Sequence, residues 1–377
     1  MDSELSLFAQ ERLRSEEEVE KSQHIPRGLA LVALSVIGGV GHQTAVRLFD
    51  SQYFDCLFSA NRDEILWIAS QAGVEHPHAF ADTFVGRRVD ALEDARDEYE
   101  RFEDQSISVV LRDDPLFPRS LREIPDAPRW LFVRGNVELL SSERLITVVG
   151  TRQPSQYGVA MARRVTSMLV KRGFAVVSGL AEGIDKAVHD EVLRNKGQTI
   201  AVLGTGLSNN FPQKTENLRT PIVNNGGAII TEYFDKESYS KQRFVLRNRI
   251  QAALSRVLVP VEASVPSGTL HTVRFAKEFG RTVVGVKAVG FPETPFHQML
   301  REEGFDVVEV PEKDDPFMAA IGAQYDYAGF SRDSQVERRL GMLNREIRRL
   351  RAFATREHLT DYERKRIAEA IQAKVPS

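Results

Sequence analysis

The chain has 377 residues, 42% of them hydrophobic and 27% charged, with a formal net charge of −3. That is an ordinary globular composition, long enough for two or three domains at about 100–200 residues each. It excludes a surface basic all over, so any anion site must be a local concentration of cations; one cysteine, Cys56, excludes a disulfide framework and fits a reducing compartment.

Residues 1–22 (MDSELSLFAQERLRSEEEVEK and the next residue) form a charged, helix-prone lead-in, too acidic and too poor in apolar residues for a signal peptide. From Pro26 to about Ala91 the apolar spacing is helical, with loops near Gly38–Gly41 and Gly73–His78; this defines a helical domain at 23–100. Its longest apolar stretch, Leu29–Val40, falls short of the ~20 residues that span a bilayer. We therefore expect a cytoplasmic protein with no membrane partner. Cys56 lies in an apolar run (YFDCLF) and reads as a core residue. Strand character first arises at Ser106–Leu111, followed by the proline-dense DDPLFPRSLREIPDAPRW, where regular helix and central strand are both disfavoured. Residues 101–140 thus read as an extended connector ending in a short strand, Trp130–Val133.

The rhythm changes at 141–312. Strand-length apolar runs at Leu145–Val149, Ala175–Val177, Thr199–Leu203, Ala228–Ile230, Val257–Val261 and Thr282–Val286 alternate with helical patterns at Tyr157–Arg172, Ile184–Asn195, Glu216–Asn225, Phe244–Leu254 and Thr269–Phe279. Strands that alternate with helices and are apolar throughout predict a Rossmann-like, doubly wound parallel sheet of the α/β class, covered on both faces. Residues 313–377 return to a helical pattern, giving a C-terminal helical tail. Val336, Leu340, Leu343, Ile347 and Leu350 form its apolar stripe, among the arginines of RRLGMLNREIRRLR. The stripe reads as an amphipathic helix packed on its own domain, with self-association or a partner helix as the alternative.

In an open α/β sheet, ligands bind outside the carboxyl ends of the strands. Four ends here carry glycine with small hydroxyl residues: Gly150-Thr151-Arg152, Ser178-Gly179, Gly204-Thr205-Gly206 and, after Glu262, Ser267-Gly268-Thr269. Glycine admits a ligand close to backbone N–H groups, and each turn leads into a helix N-terminus that favours anions. Arg152, with Arg247-Asn248-Arg249 ahead of the fifth strand, supplies cationic forks suited to phosphate. Of Arg247 and Arg249, two apart on a helix, one faces the crevice while the other pairs with a carboxylate. Nucleotide motifs fail on spacing: Asn209 stands where GxGxxG needs glycine, and neither a Walker loop nor a GxSxG elbow occurs. Asp185 and His189 lie i,i+4 on one helix without a third ligand nearby, so structural hydrogen bonding is the first reading and no metal or cofactor is expected. No nucleophile–base set stands out, which favours a binding protein over an enzyme.

In order, GTRQPSQYG, VVSGLAEGIDKAVH, TIAVLGTGL with FP shortly after, TEYF, FVLRNR and VEASVPSGTLHT resemble the DNA-processing protein A (DprA/Smf) family across roughly residues 110–290. The stretch FPRSLREIPDAPRWLFVRGN resembles the family's lead-in. The resemblance implies a non-enzymatic protein that binds single-stranded DNA, protects strands in natural transformation and helps load a RecA-type recombinase, commonly as a homodimer. Carried over by motif, the single-strand pocket is Gly150, Arg152, Ser178, Gly179, Arg247, Asn248, Ser267 and Gly268; the strand-end reading adds Thr151, Gly204, Arg249 and Thr269. Tyr157, Tyr233 and Phe244 are its candidate stacking aromatics, each with core packing as the alternative. Ile37-Gly38-Gly39-Val40-Gly41, with Ala45 and Leu48, resembles a helix-hairpin-helix (SAM-like) element. A structural helix turn is the first reading there, and contact of Gly39 and Gly41 with a duplex backbone the second.

Two stretches depart from the family pattern. VKAVGFPETPFHQMLREEGFDVV stands where members carry a glycine- and asparagine-bearing segment, and the tail is not a winged helix. The alternatives are a nucleotide sensor or hydrolase similar to cytokinin-activating enzymes, whose PGGxGT motif is absent, and a defence or signalling variant.

Overall fold

The computed structural model describes residues 25–237, 239–310, 316–322 and 324–325. The lead-in at 1–22 and the stripe from Val336 to Leu350 lie outside the described residues. Two compact units divide the chain, Met1–Met318 and Ala319–Ser377, and every element below belongs to the first.

Four helices come first: α1 (Arg27–Val36), α2 (His42–Phe49), α3 (Arg62–Gln71) and α4 (Pro77–Asp104). Helix α3 starts in a capping box, in which the Asn61 side chain accepts from the Asp63 and Glu64 amides and Glu64 Oε2 accepts from Asn61 N–H. Pro77 opens α4, its missing N–H being one the first turn does not use. Helix α4 runs 28 residues, well past the expected end near Ala91, because Ala91, Ala95 and Phe102 keep a buried face as its other sides turn charged.

Next come β1 (Ile107–Leu111), α5 (Arg119–Arg122), β2 (Trp130–Gly135), β3 (Leu145–Val149), α6 (Gln156–Lys171), β4 (Ala175–Ser178), α7 (Ile184–Arg194) and β5 (Thr199–Val202). The chain continues through α8 (Gln213–Glu216), α9 (Arg219–Asn224), β6 (Ala228–Thr231), α10 (Lys241–Leu254), β7 (Val257–Pro260), α11 (Gly268–Glu278), β8 (Thr282–Ala288), α12 (Pro295–Glu302) and β9 (Asp306–Val310). The mixed α/β architecture is the expected one. Every residue of β3, β4, β5, β6 and β7 is buried, which is why these strands read as unbroken apolar runs.

The nine strands form one sheet in the order β1-β2-β6-β5-β4-β3-β7-β8-β9. From β6 through β9 all pairings are parallel; β2 is antiparallel to both β6 and β1. Two features were not expected from sequence. The connector's strands extend the sheet rather than leading up to it, with Phe132 opposite Thr231 and Leu111 opposite Trp130. A ninth strand follows α12, its short DVVEV edge run masked by Asp306 and Glu309. Sequential strand order reverses between β3 and β7, which places the switch-point crevice at their carboxyl ends.

The four helices pack against the β1-β2-β6 end of this edge. Trp130 is 1% exposed, donates its indole N–H to Glu232 O at 2.8 Å and stacks on Phe234 with ring centroids 5.6 Å apart. It also meets Phe49 of α2 edge-on at 5.4 Å. Trp130→Ala is expected to cost about 3–5 kcal/mol, the range for deleting a large buried aromatic, read as a lower midpoint in guanidinium unfolding.

Candidate functional site

The turn after β4 is built around one buried cation. Arg247 of α10 is 3% exposed, and its Nη1 donates to Gly179 O at 2.7 Å and to Val202 O. A side chain on Gly179 would overlap that Nη1 and stand 2.6 Å from Asp185 Oδ2 and 2.7 Å from Gln251 Nε2, so glycine is the residue that lets Arg247 in. Gly183, at φ +84°, brings the chain against the Thr151–Arg152 backbone. Burial lowers the Arg247 guanidinium to about 10, so it stays charged at neutral pH. Burial also pushes the Asp185 carboxyl up, and Arg247 pulls it back.

The turn's amides are already engaged. Gly179 N–H donates to Asp185 Oδ2 at 3.2 Å, and Leu180 N–H to His189 Nε2 at 3.3 Å. The Ser178 hydroxyl donates to Val148 O at 2.7 Å in full burial. Asp185 and His189 are thus structural, as the first reading had it. Ser178 and Gly179 sit beneath the rim rather than on it. Gly204 is buried likewise, with Phe244 packed against the position a side chain would take.

At the switch point a second carboxylate stands in the way. Thr151 N–H donates to Glu262 O at 2.7 Å, and the Glu262 side chain accepts from Ser155 N–H and Oγ, both at 3.1 Å, at the N-terminus of α6. Gly150 packs so closely on Ile184 that no side chain fits. The N-terminus of α11 is different. Ser267 is its N-cap but makes no side-chain cap bond, and its buried Oγ has no hydrogen-bond partner among the described residues. Thr269 is buried behind it, and Gly268 is exposed with nothing near its Cβ position. Asn248 Nδ2 reaches Gly268 O at 3.4 Å, tying this turn to α10.

The two arginines of FVLRNR split as expected. Arg249, 7% exposed, makes a two-pronged pair with Glu232 at 2.6 and 2.8 Å; against the upward push of burial, its charge and then its hydrogen bonds hold that carboxyl below its usual range. Arg247 faces the strand ends from below. Arg152 alone is exposed, its guanidinium 5.3 Å from the Phe244 ring centroid, the same separation as Arg247's. The structure therefore brings Arg152, Arg247, Gly179 and Phe244 together and ties Ser267, Gly268 and Thr269 to them through Asn248, while Arg249 belongs to the packing behind. Two cavities, of about 360 and 590 Å³, lie elsewhere and contain none of these residues.

Of the expected aromatics, Tyr233 and Phe244 are core. Tyr157 is half-buried and stacks on Phe291 with centroids 3.7 Å apart. Sequence reasoning missed Tyr239, which is 46% exposed and packs on Phe211 and Phe244 at 4.5 and 5.1 Å. The one signal pointing to it was its place just ahead of FVLRNR.

Of the two glycines proposed to meet a duplex backbone, Gly39 and Gly41, the helix-hairpin-helix turn directs one inward. Glu237 Oε1 accepts the His42 N–H at 3.0 Å at the N-terminus of α2 and lies 3.7 Å from a Cβ built on Gly41; Lys236 Nζ donates to Ile37 O. Only Gly39 of the pair, at φ +81° and with open space around it, faces solvent.

A doubly wound sheet with a basic, glycine-lined carboxyl edge and a helical unit at one end defines the class. Within it, residues 108–304 match the family model for DNA recombination-mediator protein A, and the chain belongs to that family. It is 35% identical over 255 residues to Protein Smf of Synechocystis, covering 67% of this chain and 62% of that protein. It is 36% identical over 221 residues to DNA processing protein DprA of Streptococcus pneumoniae, covering 58% and 74%. The pneumococcal DprA crystal structure superposes with a TM-score of 0.57 at 29% identity, covering 76% of this chain and 95% of that one. The match to the Synechocystis protein thus spans about three fifths of that protein's length. Among the described residues no helix is long and apolar enough to cross a membrane.

Burial lowers His189 to about 3. A histidine held neutral in the fold contributes stability that is whole above its unfolded value of 6.5 and is lost as pH falls toward 3, because the unfolded chain takes up the proton first. The loss is about 2 kcal/mol between pH 6.5 and 5 at ~1.4 kcal/mol per unit. Asp185, raised by burial, acts in the opposite sense, so the test is a difference. His189→Gln is expected to flatten the fall in unfolding free energy between pH 7 and 5 relative to wild type; equal slopes would count against the assignment.

Proposed function

We propose that the chain binds single-stranded DNA along the carboxyl edge of its sheet, without chemistry on the strand. The observation that carries this reading is the pairing of an exposed guanidinium, Arg152, which makes no ion pair among the described residues, with an uncapped helix N-terminus at Ser267–Thr269 across the switch point. Arg152 and the first-turn amides of α11 take phosphates, the unpartnered Ser267 hydroxyl adds a donor, and Asn248 fixes the turn. Arg247 supplies positive potential from below without touching the strand, and Tyr239 offers a ring for a base. Nothing in this set reads base edges, so binding is sequence-tolerant and salt-sensitive. Membership of a recombination-mediator family and the names of the relatives support a role in DNA processing. Strand protection, hand-off to a RecA-type recombinase and a homodimer are the finer parts of the proposal.

Fluorescence anisotropy with oligo-dT, duplex DNA and mononucleotides at two salt concentrations tests it. Single strands are expected to bind tightest, with affinity falling steeply as salt rises. Arg152→Ala should weaken oligo-dT binding by about 1–3 kcal/mol with little change in unfolding midpoint. Arg247→Ala should instead destabilise the fold by about 3–5 kcal/mol, the cost of orphaning a buried partner. Nucleotide turnover with no preference for oligonucleotides would favour a hydrolase instead.

A further inference from the structure

Four arginines converge on a cleft that the strand-end rim does not include. The cavity, about 590 Å³, is lined by Arg27, Phe49, Asp50, Arg112, Asp113, Arg122 and Arg129. Two of the four are committed. Arg129 holds Asp50 with a two-pronged pair, Nε to Oδ1 at 2.8 Å and Nη2 to Oδ2 at 2.7 Å. Arg27 lies over Phe49 at 4.4 Å, pairs with Asp55 at 3.1 Å and stands 3.8 Å from Asp113. The other two are not. Among the described residues no carboxylate lies within ion-pair distance of Arg112 or Arg122; Arg122 donates only to the carbonyls of Asp114 and Phe117. Two forked guanidiniums without an ion-pair partner among the described residues, beside an open cleft, suit a phosphodiester.

Topology says where this cleft lies. Strand β1 is antiparallel to β2, which is antiparallel to β6, so β1 ends at the same edge as the parallel strands. Arg112 directly follows β1 and Arg129 directly precedes β2, which puts both at that edge. From β1 to β3, whose end carries Arg152, is five strand spacings, or about 24 Å at ~4.8 Å each. Helix α2, about 12 Å long, lies along the interval: its first amide meets Glu237, beyond β6, and Asp50 at its end meets Arg129. Gly38, Gly39 and Gln43, at the start of that helix, are exposed to solvent.

We propose that this arginine cleft is a second phosphodiester site for the same single strand that the strand-end rim grips, so that a long strand engages both while a short one engages the rim alone. The proposal rests on the single-strand reading above. It makes Arg112 and Arg122 affinity determinants for length rather than for sequence.

The test compares full-length wild type with Arg112→Ala/Arg122→Ala, using oligo-dT of about 6 nucleotides, at the low end of single-strand site sizes, and of about 25. The double variant is expected to lose about tenfold on the long strand, with a salt slope shallower by about 1.4 for two lost contacts. Its short-strand affinity should stay within twofold, which also reports an intact fold. Asp113→Asn, which removes an exposed carboxylate from the cleft, should tighten long-strand binding by about threefold and covers the case in which the double variant misfolds. Equal long-strand affinity in wild type and both variants overturns the cleft and leaves the rim standing. Failure of wild type to bind either length overturns both.

Discussion

The carboxyl edge of this sheet is organised by one buried cation. Arg247 enters from α10, is almost wholly removed from solvent and bonds the carbonyls of Gly179 and Val202 at the ends of adjacent strands. A buried guanidinium needs its charge compensated; here the Asp185 carboxyl offsets the charge and two carbonyls take Nη1, while Nε has no hydrogen-bond partner among the described residues. Gly179 must then lack a side chain, Asp185 must sit in the first turn of α7, and Phe244 must lie where it carries both Arg247 and Arg152. The positive potential of the rim and the shape of its turns thus have a common cause.

A second regularity follows from helix N-termini. Each is a latent anion site, and several of those on this edge hold an internal carboxylate: Asp185 in the turn ahead of α7, Glu262 at α6 and Glu237 at α2. An anion from outside would have to displace a tethered one at an effective concentration it cannot match. Among the described residues, the N-terminus of α11 has no such guest and the Ser267 hydroxyl no partner. The proposed grip on DNA therefore narrows from four glycine turns to one turn and one exposed arginine. Burial here separates scaffold from contact surface among residues whose types look alike in sequence.

The sheet was legible because double-sided burial writes itself as continuous apolar runs, and β3 to β8 fall where Leu145–Val149 through Thr282–Val286 predict them. The membership of β1 and β2 in that sheet was not, since antiparallel pairing at an edge is set by partners distant in sequence. Strand β9 hid behind Asp306 and Glu309, and α4 outran its apolar periodicity. At the site, residue types were readable but their orientation was not. Nothing in Ser178-Gly179-Leu180 says that the Gly179 and Leu180 amides turn to Asp185 and His189, because that choice depends on side chains arriving from α7. Tyr239 escaped notice because its contacts with Phe211 and Phe244 join segments that the sequence separates. The division of labour between Arg247 and Arg249 was foreseeable from helical geometry alone, as residues two apart diverge.

The most direct measurement is a crystal structure of the protein with a short oligo-dT. The account predicts a phosphate within hydrogen-bond distance of both the Arg152 guanidinium and the Gly268 or Thr269 amide, with Arg247 still on its two carbonyls. A strand seated away from the β3–β7 switch point, or one that draws Arg247 out of the core to reach it, would contradict it.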